Sequence, residues 1–163
     1  MRKDLGPGLE LLSLPRFPGT FQPKGKRHRA LIGIGGNVGH TLRRFKRLLN
    51  YLQNLHAIHV IAASPVLKNP PFGFTEQEDF YNAVLVIETD LTPMQLLREL
   101  MRIEKRFGRV RTFKNAPRTL DLDIIFFEFK KVYNKILTIP HPYWHQRESV
   151  LIPMLYLPRR RRY

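Results

Sequence analysis

Residues 30–39 (ALIGIGGNVG) form a short apolar run ending in glycines, and Leu42, Phe45, Leu48, Leu49 and Leu52 then recur at helical spacing on one face. That pattern predicts a strand, a tight turn and a helix. Residues 57–63 (AIHVIAA) read as a second strand, and residues 80–88 (FYNAVLVIE) as a third because they are β-branched and aromatic. Between them residues 64–79 (SPVLKNPPFGFTEQED) read as a long loop, since Pro65, Pro70, Pro71 and Gly73 interrupt both periods. Thr92-Pro93-Met94-Gln95 is a helix start with Thr92 as N-cap, Pro93 in the first turn and Gln95 placed to close a capping box. Leu96, Leu100, Ile103 and Phe107 line one face of that helix, and Gly108 ends it. Residues 119–128 (TLDLDIIFFE) are a fourth strand, residues 136–139 a short fifth, and a small helix closes the chain. The order βαββαβ predicts an α+β fold, a ferredoxin-like sandwich with a mainly antiparallel sheet and two helices on one face.

Residues 1–29 follow neither period and are punctuated by Pro and Gly. They read as an N-terminal extension, partly packed through Leu11, Leu12 and Phe21, ahead of a domain over residues 30–158 and a basic tail at residues 159–163. A chain of 163 residues is expected to bury one core without disulfides or structural metals. Cysteine is absent, which excludes thiol chemistry and fits a reducing, cytoplasmic setting. No stretch approaches the roughly 20 apolar residues that span a bilayer, so a soluble, monomeric protein without membrane contact is expected.

The net charge of +15 raises the question of nucleic acid. Its distribution weakens that reading: the first 29 residues carry seven Lys and Arg against two acids, and Arg159 to Arg162 add four cations, leaving about +6 for the body. An RNA-recognition module shares the βαββαβ order, but it should present stacking aromatics where this chain presents two aspartates. A metal-dependent phosphohydrolase would need a water-activating base, and neither His56 and His59 nor His141 and His145 has the spacing of a ligand set.

Asp121 and Asp123 carry the candidate chemistry. On a strand, residues i and i+2 share a face about 6.6 to 6.8 Å apart, so both carboxylates project together while Leu120, Leu122 and Ile124 face the other way. Unpaired, they would repel, so they need arginine, water or a cation. The preceding stretch (KRFGRVRTFKNAPR) gathers Lys105, Arg106, Arg109, Arg111, Lys114 and Arg118. Guanidinium forks match phosphate oxygens, and Mg²⁺ is held by one or two carboxylates together with those same phosphates. Carboxylates and arginines on adjoining segments therefore point to a metal–polyphosphate complex and to phosphoryl transfer. Residues 33–39 lack the GxxxxGK[ST] spacing of a phosphate loop; their glycines either admit a flat ligand or simply make a tight turn.

Together these motifs resemble the 6-hydroxymethyl-7,8-dihydropterin pyrophosphokinases of folate biosynthesis. The resemblance rests on IGIGGNVG, NPPFG…DFYNAV, GRVR…PRTLDLDI and LTIPHPYWHQRESVLIPM, in that order. It implies transfer of pyrophosphate from ATP to the pterin hydroxymethyl group, releasing AMP, with two Mg²⁺ ions held by Asp121 and Asp123. It further implies that Arg109 and Arg118 grip the phosphates and that Arg111 and Lys114 lie on a loop closing over ATP. Leu97, Glu104, Ile124, Thr138, His141 and Arg147 match positions around the nucleotide. Gly35, Asn69, Pro70, Phe72, Phe80, Asn82 and Asp121 match positions around the pterin, whose polar edge an asparagine amide can pair as donor and acceptor. Lys114-Asn115 stands where many members carry Arg-Trp, and Gly36 where they carry serine.

Overall fold

The structure, a computed structural model, describes residues 1–159; the arginine run lies outside them from residue 160 onward. The expected core is present. Strand β4 (His28–Gly36) leads through the glycine turn into helix α1 (Thr41–Gln53), then come β5 (Ile58–Ala63), β7 (Phe80–Thr89), helix α2 (Pro93–Arg106) and β8 (Asp121–Phe127). These four strands lie in the order β5-β7-β4-β8, every neighbouring pair antiparallel. The Thr92 hydroxyl accepts from Gln95 N and Gln95 Oε1 accepts from Thr92 N, closing the capping box.

Elements the pattern concealed complete an eight-stranded sheet. β1 (Arg2–Gly6) and β2 (Leu9–Leu12) form a hairpin, and β3 (Gly19–Thr20) pairs with β5. The 64–79 stretch is not all loop: β6 (Val66–Asn69) pairs with β7 on one side and with β2 on the other. Proline and glycine sit at the ends of these short strands, so their alternation never runs long enough to read. Leu11, Leu12 and Phe17 are buried and Phe21 packs against the core. The expected fifth strand is β10 (Thr138–Ile139), which pairs with β9 (Val132–Tyr133) apart from the main sheet.

The two faces of the sheet are covered unequally. The main core holds Ile32, Ile34, Leu122 and Ile124 from the strands with Phe45, Leu48 and Leu49 of α1 and Leu96, Leu100 and Ile103 of α2. On the other face a smaller cluster of Leu31, Val84, Ile125 and Val150 packs under helix α3 (Glu148–Leu155). α3 covers only part of that face, and the rest is open beside Asp121 and Asp123. No helix among the described residues is long and apolar enough to cross a membrane.

Candidate active site

Three neighbouring strands set the floor of the site. Gly35 on the central strand β4 is opposite Asn82 of β7 on one side and Asp121 of β8 on the other. Directly opposed residues share a face, so Asn82 and Asp121 point into the same space two strand spacings apart, about 10 Å. A side chain between them would displace Asn82: a Cβ at position 35 would lie 2.5 Å from Asn82 Oδ1. The next row pairs Gly33 with Asp123, which places the second carboxylate beside the first.

The glycine turn is not a phosphate loop. Asn37 N and Val38 N both donate to Arg118 O, at 3.0 and 3.3 Å, so those amides are used in holding the arginine-rich segment against β4. Arg118 N in turn donates to Asn37 Oδ1 at 3.0 Å.

The two aspartates are in different states. Asp121 accepts from Arg109 Nη1 at 2.6 Å and from Arg118 Nη1 at 3.1 Å. Asp123 is half-buried, and among the described residues no side-chain hydrogen bond or ion pair holds its carboxyl, although the Arg147 and Arg109 guanidiniums act on it from further off. Burial first, then the neighbouring Asp121 and Glu104 carboxylates, push its carboxyl up to about 7. Glu104, at the end of α2, is buried; it accepts from Arg109 and from Leu122 N through Oε2, and from Arg111 through Oε1. It thereby caps the free edge of β8 and tethers both arginines. Its burial raises its carboxyl, against the pull of the Leu122 N–H and the two guanidiniums. Burial alone would lower Arg109, but the carboxylates of Asp121, Glu104 and Asp123 raise it overall. His141 donates its backbone N–H to Ile125 O at 2.9 Å, and burial and Arg147 lower its imidazole, which favours the neutral ring.

Three cavities adjoin one another here, and two of them open on this row. The middle one, about 440 Å³, is walled by Arg109, Arg111, Lys114, Arg118, Asp121, Asp123, His141 and Arg147. A second, about 420 Å³, joins Asn69, Pro70, Phe72, Phe80 and Asn82 to Asp121, with Arg118 and Arg147 shared with the middle cavity. The guanidiniums of Arg118 and Arg147 lie over the rings of Phe80 and Phe72, at 5.4 and 5.9 Å. A third, about 640 Å³, opens between α2 and the loop after it; it shares Arg109, Val110 and Arg111 with the middle cavity and is walled mainly by apolar atoms around Met101 and Val110.

Most of the residues singled out from the sequence are thus brought together. Leu97, Ile124 and Thr138 line none of the three cavities: Ile124 is buried in the core beneath the sheet, Leu97 packs against that core and Thr138 pairs with Tyr133. Sequence reasoning missed the ties that bind the two site loops to each other. Asn37 Nδ2 donates to Gln77 Oε1 and Gln77 Nε2 donates to Asn115 O, both at 2.9 Å, while Phe74 and Phe113 meet edge to face at 5.3 Å. Nothing in the periodicity marks a glutamine inside a loop as a bridge.

Paired carboxylates, clustered guanidiniums and flanking apolar and aromatic cavities on an antiparallel α+β sheet define a phosphoryl-transfer enzyme that handles a polyphosphate and a flat second substrate. The sequence pattern of the family described as 7,8-dihydro-6-hydroxymethylpterin-pyrophosphokinase matches residues 31–159. The chain is 40% identical over 148 residues to a 2-amino-4-hydroxy-6-hydroxymethyldihydropteridine pyrophosphokinase of Helicobacter pylori, covering 89% of this chain and 91% of that protein. It is 42% identical over 128 residues to the protein of the same description in Campylobacter jejuni, covering 78% and 82%. A folic acid synthesis protein of Schizosaccharomyces pombe is 36% identical over 132 residues, which cover 81% of this chain and 18% of that protein. The chain belongs to the 6-hydroxymethyl-7,8-dihydropterin pyrophosphokinase family, ATP-dependent diphosphotransferases of folate biosynthesis. Its activity is transfer of pyrophosphate from ATP to the pterin hydroxymethyl group.

Proposed function

We propose that the three cavities divide the substrates of this reaction among them: adenosine against α2, the triphosphate in the middle, and the pterin between Asn82 and the Phe72 and Phe80 rings. The observation that carries this reading is the shared lining of the middle cavity, because a β-phosphorus held there lies next to both neighbours. Arg109, Arg111, Arg118 and Arg147 bind and orient the phosphates, and Lys114 adds a point charge. Asn69 and Asn82 pair the polar edge of the pterin, which sets its hydroxymethyl oxygen toward Asp121. Ile124 lies on the edge of β8 between Leu122, capped by Glu104, and Ile125, capped by His141, so it would serve the nucleotide through its backbone. Leu97 and Thr138 would support the nucleotide side from behind.

The residues present fit Mg²⁺. Among the described residues no three acidic, histidine or cysteine side chains converge into a ready-made cage, and Asp123 is a half-buried carboxylate without a partner. Mg²⁺ is characteristically held by one or two carboxylates with substrate phosphates and water completing the shell. Asp121 and Asp123 would hold the ions, two in number; when bound they neutralise charge on the triphosphate and on the attacking oxygen. The protein's own share is alignment and water exclusion, the latter by the loops that Gln77 and the Phe74–Phe113 pair bring together.

We place this activity in a cytoplasmic monomer acting on small molecules. The RNA-binding alternative lacks support, since the face an RNA would stack on bears two carboxylates. The test is an assay with ATP, Mg²⁺ and 6-hydroxymethyl-7,8-dihydropterin, with and without EDTA, resolving AMP from ADP. AMP formed only with pterin and free metal supports the reading. ADP as product, or AMP unaffected by EDTA, overturns it.

A further inference from the structure

The family pattern begins at residue 31, which leaves the β1–β2 hairpin outside it. That hairpin is tied to two elements that wall the pterin compartment. β2 pairs in register with β6, setting Glu10 against Lys68, Leu11 against Leu67 and Leu12 against Val66. β6 ends at Asn69, whose Oδ1 accepts from Asn82 Nδ2 at 2.7 Å. At the hairpin turn Gly8 has a left-handed backbone (φ +75°), and a Cβ there would lie 2.9 Å from Pro70 Cγ. On the other side Lys3 Nζ donates to the Tyr156 hydroxyl at 3.1 Å, and Tyr156 caps α3, the helix whose first residues Glu148 and Ser149 line the same cavity.

We propose that residues 2–12 are a positioning element for the pterin compartment, holding Pro70 through Gly8 and keeping Asn69 against Asn82 through the β2–β6 pairing. The proposal rests on the assignment of that compartment to the pterin. A rigid proline ring cannot yield to an added methyl as a flexible side chain would, so a Cβ at position 8 moves the wall of the cavity. Among the described residues none of the hairpin's bonds reaches Arg109, Arg111, Lys114 or Arg118, so the change at Pro70 falls on the pterin wall.

The variants separate this from general destabilisation. Gly8→Ala introduces both backbone strain and the Pro70 clash. Gly6→Ala, in the same turn at φ +121° with nothing within 4 Å of its Cβ, introduces strain alone. Steady-state KM for each substrate, 6-hydroxymethylpterin binding by fluorescence titration, and Tm are measured for both. Gly8→Ala is expected to raise the pterin KM and weaken 6-hydroxymethylpterin roughly tenfold, with the ATP KM unchanged; Gly6→Ala is expected to change neither KM. Lys3→Ala loosens the α3 side and serves if Gly8→Ala does not fold, with a smaller rise that is greater in the pterin KM than in the ATP KM, because Arg147 is the N-cap of α3. Equal effects of Gly8→Ala and Gly6→Ala, or an equal rise in both KM values in either Gly8→Ala or Lys3→Ala, would overturn the proposal, as would an unchanged pterin KM in Lys3→Ala where Gly8→Ala does not fold. Asn82→Ala distinguishes the underlying assignment: if it leaves pterin binding intact, the compartment is wrongly assigned, whereas a loss there with no effect of Gly8→Ala sinks the hairpin's role alone.

Discussion

From Asp121 to Ile124 along β8, residues facing the helices alternate with residues facing the cavities, and the two sets are held in opposite ways. Leu122 and Ile124 are buried among the side chains of α1 and α2, where removal from water stabilises the fold. Asp121 and Asp123, each adjacent to them, sit where the fold gains little from their charge: one is bonded by two arginines, and the carboxyl of the other has no hydrogen bond or ion pair among the described residues. The pleat of a single strand therefore separates the buried apolar side chains from the carboxylates proposed to carry the chemistry. Substitutions on one face should read out in unfolding, and those on the other in turnover.

The strongest way to break that division is Asp123→Ala. Turnover is expected to fall about a thousandfold or more, the scale of losing a preorganised charge at the reacting centre, while Tm stays level or rises because no bonded partner is lost. A clear drop in Tm would show that the carboxylate is part of the scaffold. Conversely, Leu122→Ala should cost about 2 to 5 kcal/mol in denaturant unfolding, with kcat per folded molecule near that of the parent. Gly35→Ala tests the floor between the faces: its methyl displaces Asn82, and the pterin KM should rise about tenfold, a loss near 1.4 kcal/mol, while ATP binding holds.

A subtler separation lies in pH. Folded Asp123 titrates at about 7 against an ordinary 3.8, so between those values the folded protein binds more protons than the unfolded one. Its contribution to stability is therefore fully present below pH 3.8 and is lost as pH rises through 7. Without metal, Asp123→Asn should flatten that part of the stability–pH curve, which urea unfolding at several pH values can check. The smallest effect is expected from Lys114→Arg, which offers a fork in place of a point charge and should lower the ATP KM a few-fold at most.

The core was legible where one rule held over a long run. The spacing of Phe45, Leu48, Leu49 and Leu52 gave α1, the Thr92-Pro93-Gln95 start gave α2, and Asp121 with Asp123 stood out because charge interrupted an apolar strand. β2 and β6 were hidden because Leu11 and Leu12 are both buried, so the hairpin shows no in-out alternation, and because Asn69 runs directly into two prolines. For the site, chemistry-bearing residues could be named from type and spacing. Their bonds could not: that Glu104 serves Arg109, Arg111 and the edge of β8 at once depends on where α2 lands. The placement of Ile124 inside the core follows from the same pleat that aims Asp123 outward.

The grip of Arg109 and Arg118 on Asp121 bears on which form of nucleotide the site accepts. A triphosphate arriving alone would have to draw both arginines off Asp121 and would leave two bare carboxylates facing four or so negative charges. If Asp121 and Asp123 hold the metal as proposed, a triphosphate arriving with divalent cations would offer each side a replacement, phosphate for the arginines and metal for the carboxylates, so that no charge would be stranded. On that assignment the resting ion pairs of Asp121 would filter the incoming substrate by its charge state, disfavouring the free anion.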